Sequence, residues 1–313
     1  MGTARFGDRG FASVLESARV ADELGIDLVV LPDHVVMHGA ARDAREGFPY
    51  PIDADWYDPL IALSAIAAVT RSCRLGMNAL VAPLRPAVLL AKQLATLDAV
   101  SGGRVEATLG VGWQAEEYAA AERAFEGRFG MLEEQLAACR ALWRGGPSAY
   151  HGTRIDFDDL YSQPLPPQGE QMPIFLALGL SDRNRERILR HGTGWAPAPM
   201  PIEQFRESVV AFGAAPDASQ ASGRSGRTDA QGASGTAIRI TAAVTLSGEL
   251  EGSPVLGHPL QEAEALWDAG AETVIVHPSR FVGSPDGLAR FLAPILSARD
   301  ARNAQVTPPK ARW

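Results

Sequence analysis

The chain has 313 residues, 46% of them hydrophobic and 21% charged, with a formal net charge of −8. That length allows a large core, and an acidic chain with no basic stripe excludes nucleic acid as an expected partner. No apolar run approaches the roughly 18 residues of a membrane span, and Met1–Arg5 lacks the apolar core of a signal peptide, so a cytoplasmic protein with no membrane partner is expected.

Phe11, Val14, Leu15, Ala18, Ala21 and Leu24 recur at helical spacing, and Gly25 follows as a stop, which predicts a first helix with one apolar stripe. Leu28–Leu31 is apolar throughout, the mark of a strand covered on both faces in a parallel sheet. Asp58-Pro59 reads as an N-cap with proline at the first helical position, opening a helix to Thr70. A strand is expected over Arg74–Leu80, a helix over Ala87–Val100 and a strand over Val105–Val111. Helices are expected over Ala115–Phe125 and Phe129–Trp143, then a strand over Ile174–Leu178 and a helix over Asp182–His191. Further strands fall at Gly194–Pro197, Ile238–Leu246 and Thr273–Val276, with a helix over Gln261–Asp268.

Strands alternating with helices imply βαβ units. Seven such strands favour a closed barrel, which normally needs eight. A doubly wound open sheet is the competing architecture, but no GxGxxG opens the chain. Residues 148–172 interrupt the alternation with a hairpin turning at His151-Gly152 and then a proline-rich run, and read as an insertion. Residues 213–236 carry no aliphatic side chain larger than alanine and read as a flexible loop. The domain expected is therefore a single barrel over 1–301, with a loose tail over 302–313.

The C-terminal ends of parallel strands form the functional face of such folds. There the chain places Asp33-His34, Asn78-Ala79, Gly110-Val111-Gly112-Trp113, Gly179-Leu180-Ser181 and Trp195. Small residues at successive strand ends let a flat molecule approach backbone. Gly179-Leu180-Ser181 opens a helix, where free N–H groups favour a phosphate, with Arg183 and Arg185 adding charge; a plain helix cap is the alternative. Glu116-Glu117 reads as the acidic first turn of a helix or as a general acid or base. Cys73 and Cys139 have no metal-ligand spacing, and none of the six histidines forms an HxxxH or HxH pair, so neither a disulfide frame nor a zinc site is expected. Few reactive side chains stand on this platform, as suits an enzyme whose chemistry belongs to a cofactor.

The chain resembles the luciferase-like monooxygenase family, in its branch that uses the deazaflavin coenzyme F-420. The matching blocks are Ala21–Asp27 with Asp33-His34-Val35, Phe48–Pro51 with Asp58-Pro59-Leu60, and Arg74–Gly76 through Pro83. They continue with Leu90–Asp98 and Ser101–Arg104, Gly110–Trp113 with Glu116-Glu117, and Tyr150–Gly152. The resemblance implies a TIM-like (β/α)8 barrel binding a deazaflavin, or alternatively FMN, at the strand ends. It implies that His34 is catalytic and that Asp33, His34, Asn78, Ala79, Gly110, Gly112, Trp113, Gly179, Leu180 and Ser181 contact the cofactor, with Asn78-Ala79 a cis peptide under the ring. Where the family shows two adjacent glycines, this chain has Leu178-Gly179. The implied reaction is hydride transfer between F-420 and a small organic molecule. The alternatives are an FMN-dependent monooxygenase and a non-catalytic barrel. A homodimer is allowed. Relatives begin with a short apolar strand, and residues 1–10 contain none. The reading is therefore a barrel lacking its first strand, with an upstream natural start and unpaired edges on Leu28–Leu31 and Thr273–Val276.

Overall fold

The first helix, α1 (Gly10–Glu23), buries Val14, Ala18 and Ala21, the stripe its spacing predicts. Strand β1 (Leu28–Leu31) is buried along its whole length. Helix α2 (Pro59–Val69) starts where the Asp58 carboxylate accepts from the N–H groups of Leu60 and Ile61 at 2.9 and 3.1 Å, satisfying two donors that a helix start leaves open. The computed structural model describes residues 10–41, 52–213, 238–244 and 257–306.

Strand β2 (Arg74–Met77) pairs with β1 in parallel, Leu28 beside Arg74 and Leu31 beside Met77. The single strand expected to reach Leu80 is divided. The Asn78–Ala79 peptide is cis, and the chain resumes as β3 (Leu80–Val81). Helix α3 (Ala87–Ser101) ends at Gly102, whose φ of 72° is left-handed and costs glycine nothing. Strand β4 (Val105–Gly110) leads to the short α4 (Ala115–Ala120) and then to α5 (Arg128–Trp143). The expected extension of α4 to Phe125 fails at Glu122, which has a φ of 57°. The inserted hairpin is present as β5 (Ser148–His151) and β6 (Asp156–Leu160).

The second half supplies β7 (Ile174–Ala177), α6 (Asp182–His191), β8 (Gly194–Trp195), α7 (Ile202–Gly213) and β9 (Arg239–Ala243), then α8 (Gly257–Asp268), β10 (Thr273–Ile275) and α9 (Leu288–Val306). Helices α7 and α9 are not among the expected elements. The last helix also corrects the expected tail. It is helical to Val306, and Arg302 donates to Asp268 at 3.3 Å and to the Trp267 carbonyl at 2.9 Å.

Among the described residues the sheet runs β1-β2-β4-β7-β8-β9-β10, all parallel, with β3 joining β4 from the side. Leu28 and Val30 of β1 share an apolar cluster with Ala243 of β9 and Ile275 of β10, so the sheet curls until side chains of its first and last described strands pack in one interior cluster. This is a TIM-like α/β barrel. Leu28 and Val30 have partners beyond those of the β1–β2 ladder, so the bare edge expected on β1 is not present. The missing first strand itself falls on residues 1–9, and the flexible loop falls almost wholly on 214–237; both lie outside the described residues, as does the block Phe48–Pro51.

Charged side chains fasten the end of the barrel where the strands begin. Asp22 on α1 accepts from the N–H groups of Arg71, Ser72 and Cys73 at 2.7, 2.9 and 2.7 Å. Burial works to raise its pKa, but these donors together hold it below the usual carboxylate value. Asp98, fully buried, accepts from Val105 N–H at 3.2 Å and from Gln168 through both its backbone and its side chain. Arg104 donates to the carbonyls of Ala67, Thr70 and Cys73, closing the C-terminal end of α2. Glu106 points among Arg74 and Arg239, linking β4 to β2 and β9.

Candidate active site

At the other end of the barrel, β1 runs into Pro32-Asp33-His34. Asp33 is 4% exposed. Its Oδ2 accepts from Val81 N–H at 2.8 Å and from Arg85 Nη1 at 2.7 Å, and its Oδ1 accepts from Arg85 Nη2 at 3.1 Å. Arg85 also reaches Asp58 Oδ2 at 3.0 Å. Burial works to lower the arginine's pKa, and the two carboxylates more than reverse it. Both Asp33 oxygens are therefore occupied inside the protein. Asp33 ties the end of β1 to β3 and, through Arg85, to the start of α2.

With Asp33 turned inward, His34 stands over the strand ends. Its ring meets Trp56 edge-on at a centroid distance of 4.8 Å and Trp113 at 5.9 Å. Its Nδ1 lies 3.3 Å from Glu117 Oε2 and 3.2 Å from Gln114 Nε2. The Glu117 side chain is wholly buried, and its Oε1 accepts from Val35 N–H at 2.6 Å. Glu116 is exposed, so of the two adjacent glutamates only the second enters the site. Gln114 Oε1 accepts from His38 N–H at 3.2 Å. Two loops, one after β1 and one after β4, are thus stitched together through polar side chains at His34. Nothing in the sequence pairs residues 83 positions apart; the only signal was Glu117 within the family block.

The turn that presents Trp113 depends on Gly112. Its φ is 63°, and a Cβ there would sit 2.7 Å from Val81 Cγ1, so a larger residue is excluded twice. Below it, Tyr118 donates to the Val111 carbonyl at 2.6 Å, and burial pushes its phenol pKa up.

The floor beside His34 is made of small residues. A Cβ built on Gly110 would lie 3.5 Å from the Cβ atoms of both Ala79 and Ala177, while one on Gly179 would meet nothing within 4 Å. The ends of β2, β4 and β7 therefore present methyl groups and backbone, which fits the face of a flat tricyclic ring. The phosphate end fits less closely. Ser181 caps α6 by accepting from Asn184 N–H at 3.3 Å, and Asn184 donates to the Gly179 carbonyl at 2.7 Å. Arg185 is turned to the Phe212 carbonyl at 3.1 Å, leaving the exposed Arg183 as the neighbouring cation. Trp195 does not face the site. It is fully buried, donates to the Leu178 carbonyl at 2.9 Å, stacks on Phe205 and meets Phe212 of α7 at a tilt. Cys73 and Cys139 are buried free thiols, their pKa values raised by burial to about 11 and about 12. No helix of the described residues is long and apolar enough to cross a membrane.

The sequence model of the luciferase-like monooxygenases matches residues 2–246. The chain belongs to the luciferase-like monooxygenase family. An uncharacterized protein of Mycobacterium tuberculosis is 30% identical over 201 residues, 63% of this chain and 71% of that protein. Among solved structures, the coenzyme F-420-dependent tetrahydromethanopterin reductase of Methanopyrus kandleri superposes with a TM-score of 0.61 at 14% identity, covering 89% of this chain and 93% of that one. A riboflavin lyase solved with modified FMN and riboflavin gives a TM-score of 0.60 at 20% identity, covering 86% of this chain and 65% of that one. Such distant likenesses establish the barrel. Members of this family are oxidoreductases and monooxygenases, which supports an enzyme here.

Proposed function

We propose that the chain is an F-420-dependent oxidoreductase that moves a hydride between the deazaflavin and a small organic substrate. The observation that carries this reading is the floor of Ala79, Gly110 and Ala177 at the same C-terminal ends of the strands as the His34–Glu117 pair. The deazaflavin supplies a two-electron centre that takes or gives hydride. The residues of the chain do the rest. Ala79, Gly110 and Ala177 leave room for the ring face. Trp56 and Trp113 hold the His34 ring edge-on and exclude water around it. His34 passes a proton to or from the substrate, and the buried Glu117 carboxylate orients its ring through Nδ1. Gly179 and the capped start of α6 would take the phosphate side, with Arg183 as the neighbouring charge.

The same proposal makes the protein cytoplasmic and gives it a second copy of the chain as partner. Ile61, 74% exposed on the uncharged α2, supports the latter, and sedimentation tests it. Titrating the apoprotein with F-420 and with FMN, followed by fluorescence, tests the cofactor. Tighter F-420 binding is the expected result. Equal or tighter FMN binding, with oxygen uptake on turnover, would replace this reading with an FMN-dependent monooxygenase.

A further inference from the structure

Nitrogen Nδ1 of His34 lies between two groups that ask opposite things of it. Glu117 Oε2, at 3.3 Å, is a carboxylate oxygen and accepts hydrogen bonds. Gln114 Nε2, at 3.2 Å, can only donate. The orientation of the Gln114 amide is set independently. The His38 backbone N–H, 3.2 Å away, needs an acceptor, so it takes Oε1 and leaves Nε2 facing His34. Gln114 is 3% exposed, so water does not stand in for these contacts. The remaining acceptors within reach of its NH2 group are Met37 Sδ at 3.2 Å and Glu117 Oε2 at 3.5 Å.

Nδ1 has one site for either a proton or a lone pair. If it carries the proton, it donates to Glu117, and Gln114 turns its hydrogens to Met37 and Glu117. If it carries the lone pair, Gln114 donates to it, and the ring proton sits on Nε2. We infer that Gln114 is a positioning residue that favours the Nε2–H tautomer of neutral His34, in opposition to Glu117, which favours the Nδ1–H tautomer. A buried carboxylate alone would drive the ring toward Nδ1–H, because a charge-assisted hydrogen bond is the stronger of the two. With Gln114 present the neutral ring samples both forms. Gln114 thereby sets what share of the neutral ring carries its lone pair on Nε2, ready to accept a proton; acceptance there makes the imidazolium, whose Nδ1–H then pairs with Glu117. The bearing of this on hydride transfer rests on the function proposed above, whereas the tautomer balance itself does not.

The test uses the full chain without cofactor, labelled with 15N-histidine and read by long-range 1H–15N correlation at a pH where His34 is neutral. The His34 signals are those that vanish in His34→Asn, which separates them from the other five of the six histidines. In the unsubstituted protein both ring nitrogens should appear between the protonated and bare positions. Gln114→Leu should move Nε2 to the bare position and Nδ1 to the protonated one, and Glu117→Gln should move them the opposite way. A residue that only supports the fold would lower the melting temperature and leave these shifts in place. A pure Nδ1–H ring in the unsubstituted protein, or shifts unmoved in Gln114→Leu, overturns the inference. If Gln114→Leu does not fold, Gln114→Met keeps the side-chain length without the donor, and the reading of the unsubstituted protein stands on its own. A lost preference for F-420 in the separate cofactor titration would remove the proposed reaction and leave the tautomer result untouched.

Discussion

The two ends of the barrel use buried polar side chains in different ways. Where the strands begin, Asp22, Asp98 and Arg104 bond mostly to backbone N–H and C=O groups of neighbouring elements. Where the strands end, His34, Glu117 and Gln114 bond to one another as well as to backbone. A side chain engaged by fixed backbone has one arrangement and contributes rigidity. A cluster of side chains sharing protons has several arrangements of similar energy, which is what acid–base work requires. The family blocks fall at both ends, so a match to the family does not by itself separate scaffold from chemistry.

The sharpest way to break this contrast is to cut one group from the scaffold end. Asp98→Ala leaves the buried Val105 N–H unsatisfied and removes two acceptor contacts from the half-buried Gln168, and should cost about 2–4 kcal/mol of stability. Denaturant unfolding measures it, and the protein that remains folded should bind cofactor normally. The counterpart is His34→Ala, which should lower kcat by about ten-fold or more while the melting temperature moves little. Unchanged turnover with a large loss of stability would mean that both ends of the barrel are scaffold. Gly112→Ala probes the join between the two. The strained φ and the contact with Val81 should cost about 1–3 kcal/mol, and displacement of Trp113 should weaken ring binding in the same variant.

The sequence showed the repeating local units well and their long-range pairings poorly. Leu28–Leu31 and Asp182–His191 form over the residues expected, because an all-apolar run and a capped, strongly amphipathic helix are local signals. The cis peptide at Asn78–Ala79 came only from the resemblance, since nothing in the local chemistry asks for it. Helix α7 was overlooked although Ile202, Phe205, Val209 and Phe212 recur at helical spacing; the short intervals after Trp195 hid the pattern. Helix α9 contains Pro294, a residue that argues against a helix on local grounds, yet packing of Leu288, Phe291 and Leu292 into the core outweighs it. At the site, the partners of Asp33 and Glu117 were not legible. Asp33 stands in the sequence as an open carboxylate at a strand end, and its two oxygens accept from Arg85 and from Val81 N–H. Glu117 could be read as an ordinary first-turn acid and is the buried partner of His34. Both outcomes depend on residues about 50 to 80 positions away, which no local pattern encodes.

The smallest expected effect lies in the inserted hairpin, whose turn is held to α5 by the Glu134 carboxylate. Glu134 accepts from the Thr153 hydroxyl, from Arg154 N–H at 2.8 Å and from Ile155 N–H at 3.1 Å, and pairs with Arg154 Nη1 at 3.0 Å. Partial burial works to raise its pKa, but the donors from residues 153–155 outweigh this and bring it down to about 2, from an ordinary value of 4.5. The folded state therefore binds this proton less readily than the unfolded chain does. Its contribution to stability is complete above about pH 4.5 and disappears as the pH falls toward 2. The side chain keeps some contact with solvent, so the loss should be local. Hydrogen exchange at Arg154 and Ile155 should accelerate across that interval while Val105, under Asp98, keeps its protection. Glu134→Gln retains one acceptor but not the charge, and should remove most of the acid-dependent change. If exchange at Arg154 and Ile155 follows the same acid dependence in the variant as in the parent, another group fastens the hairpin and this carboxylate is an ordinary surface acid.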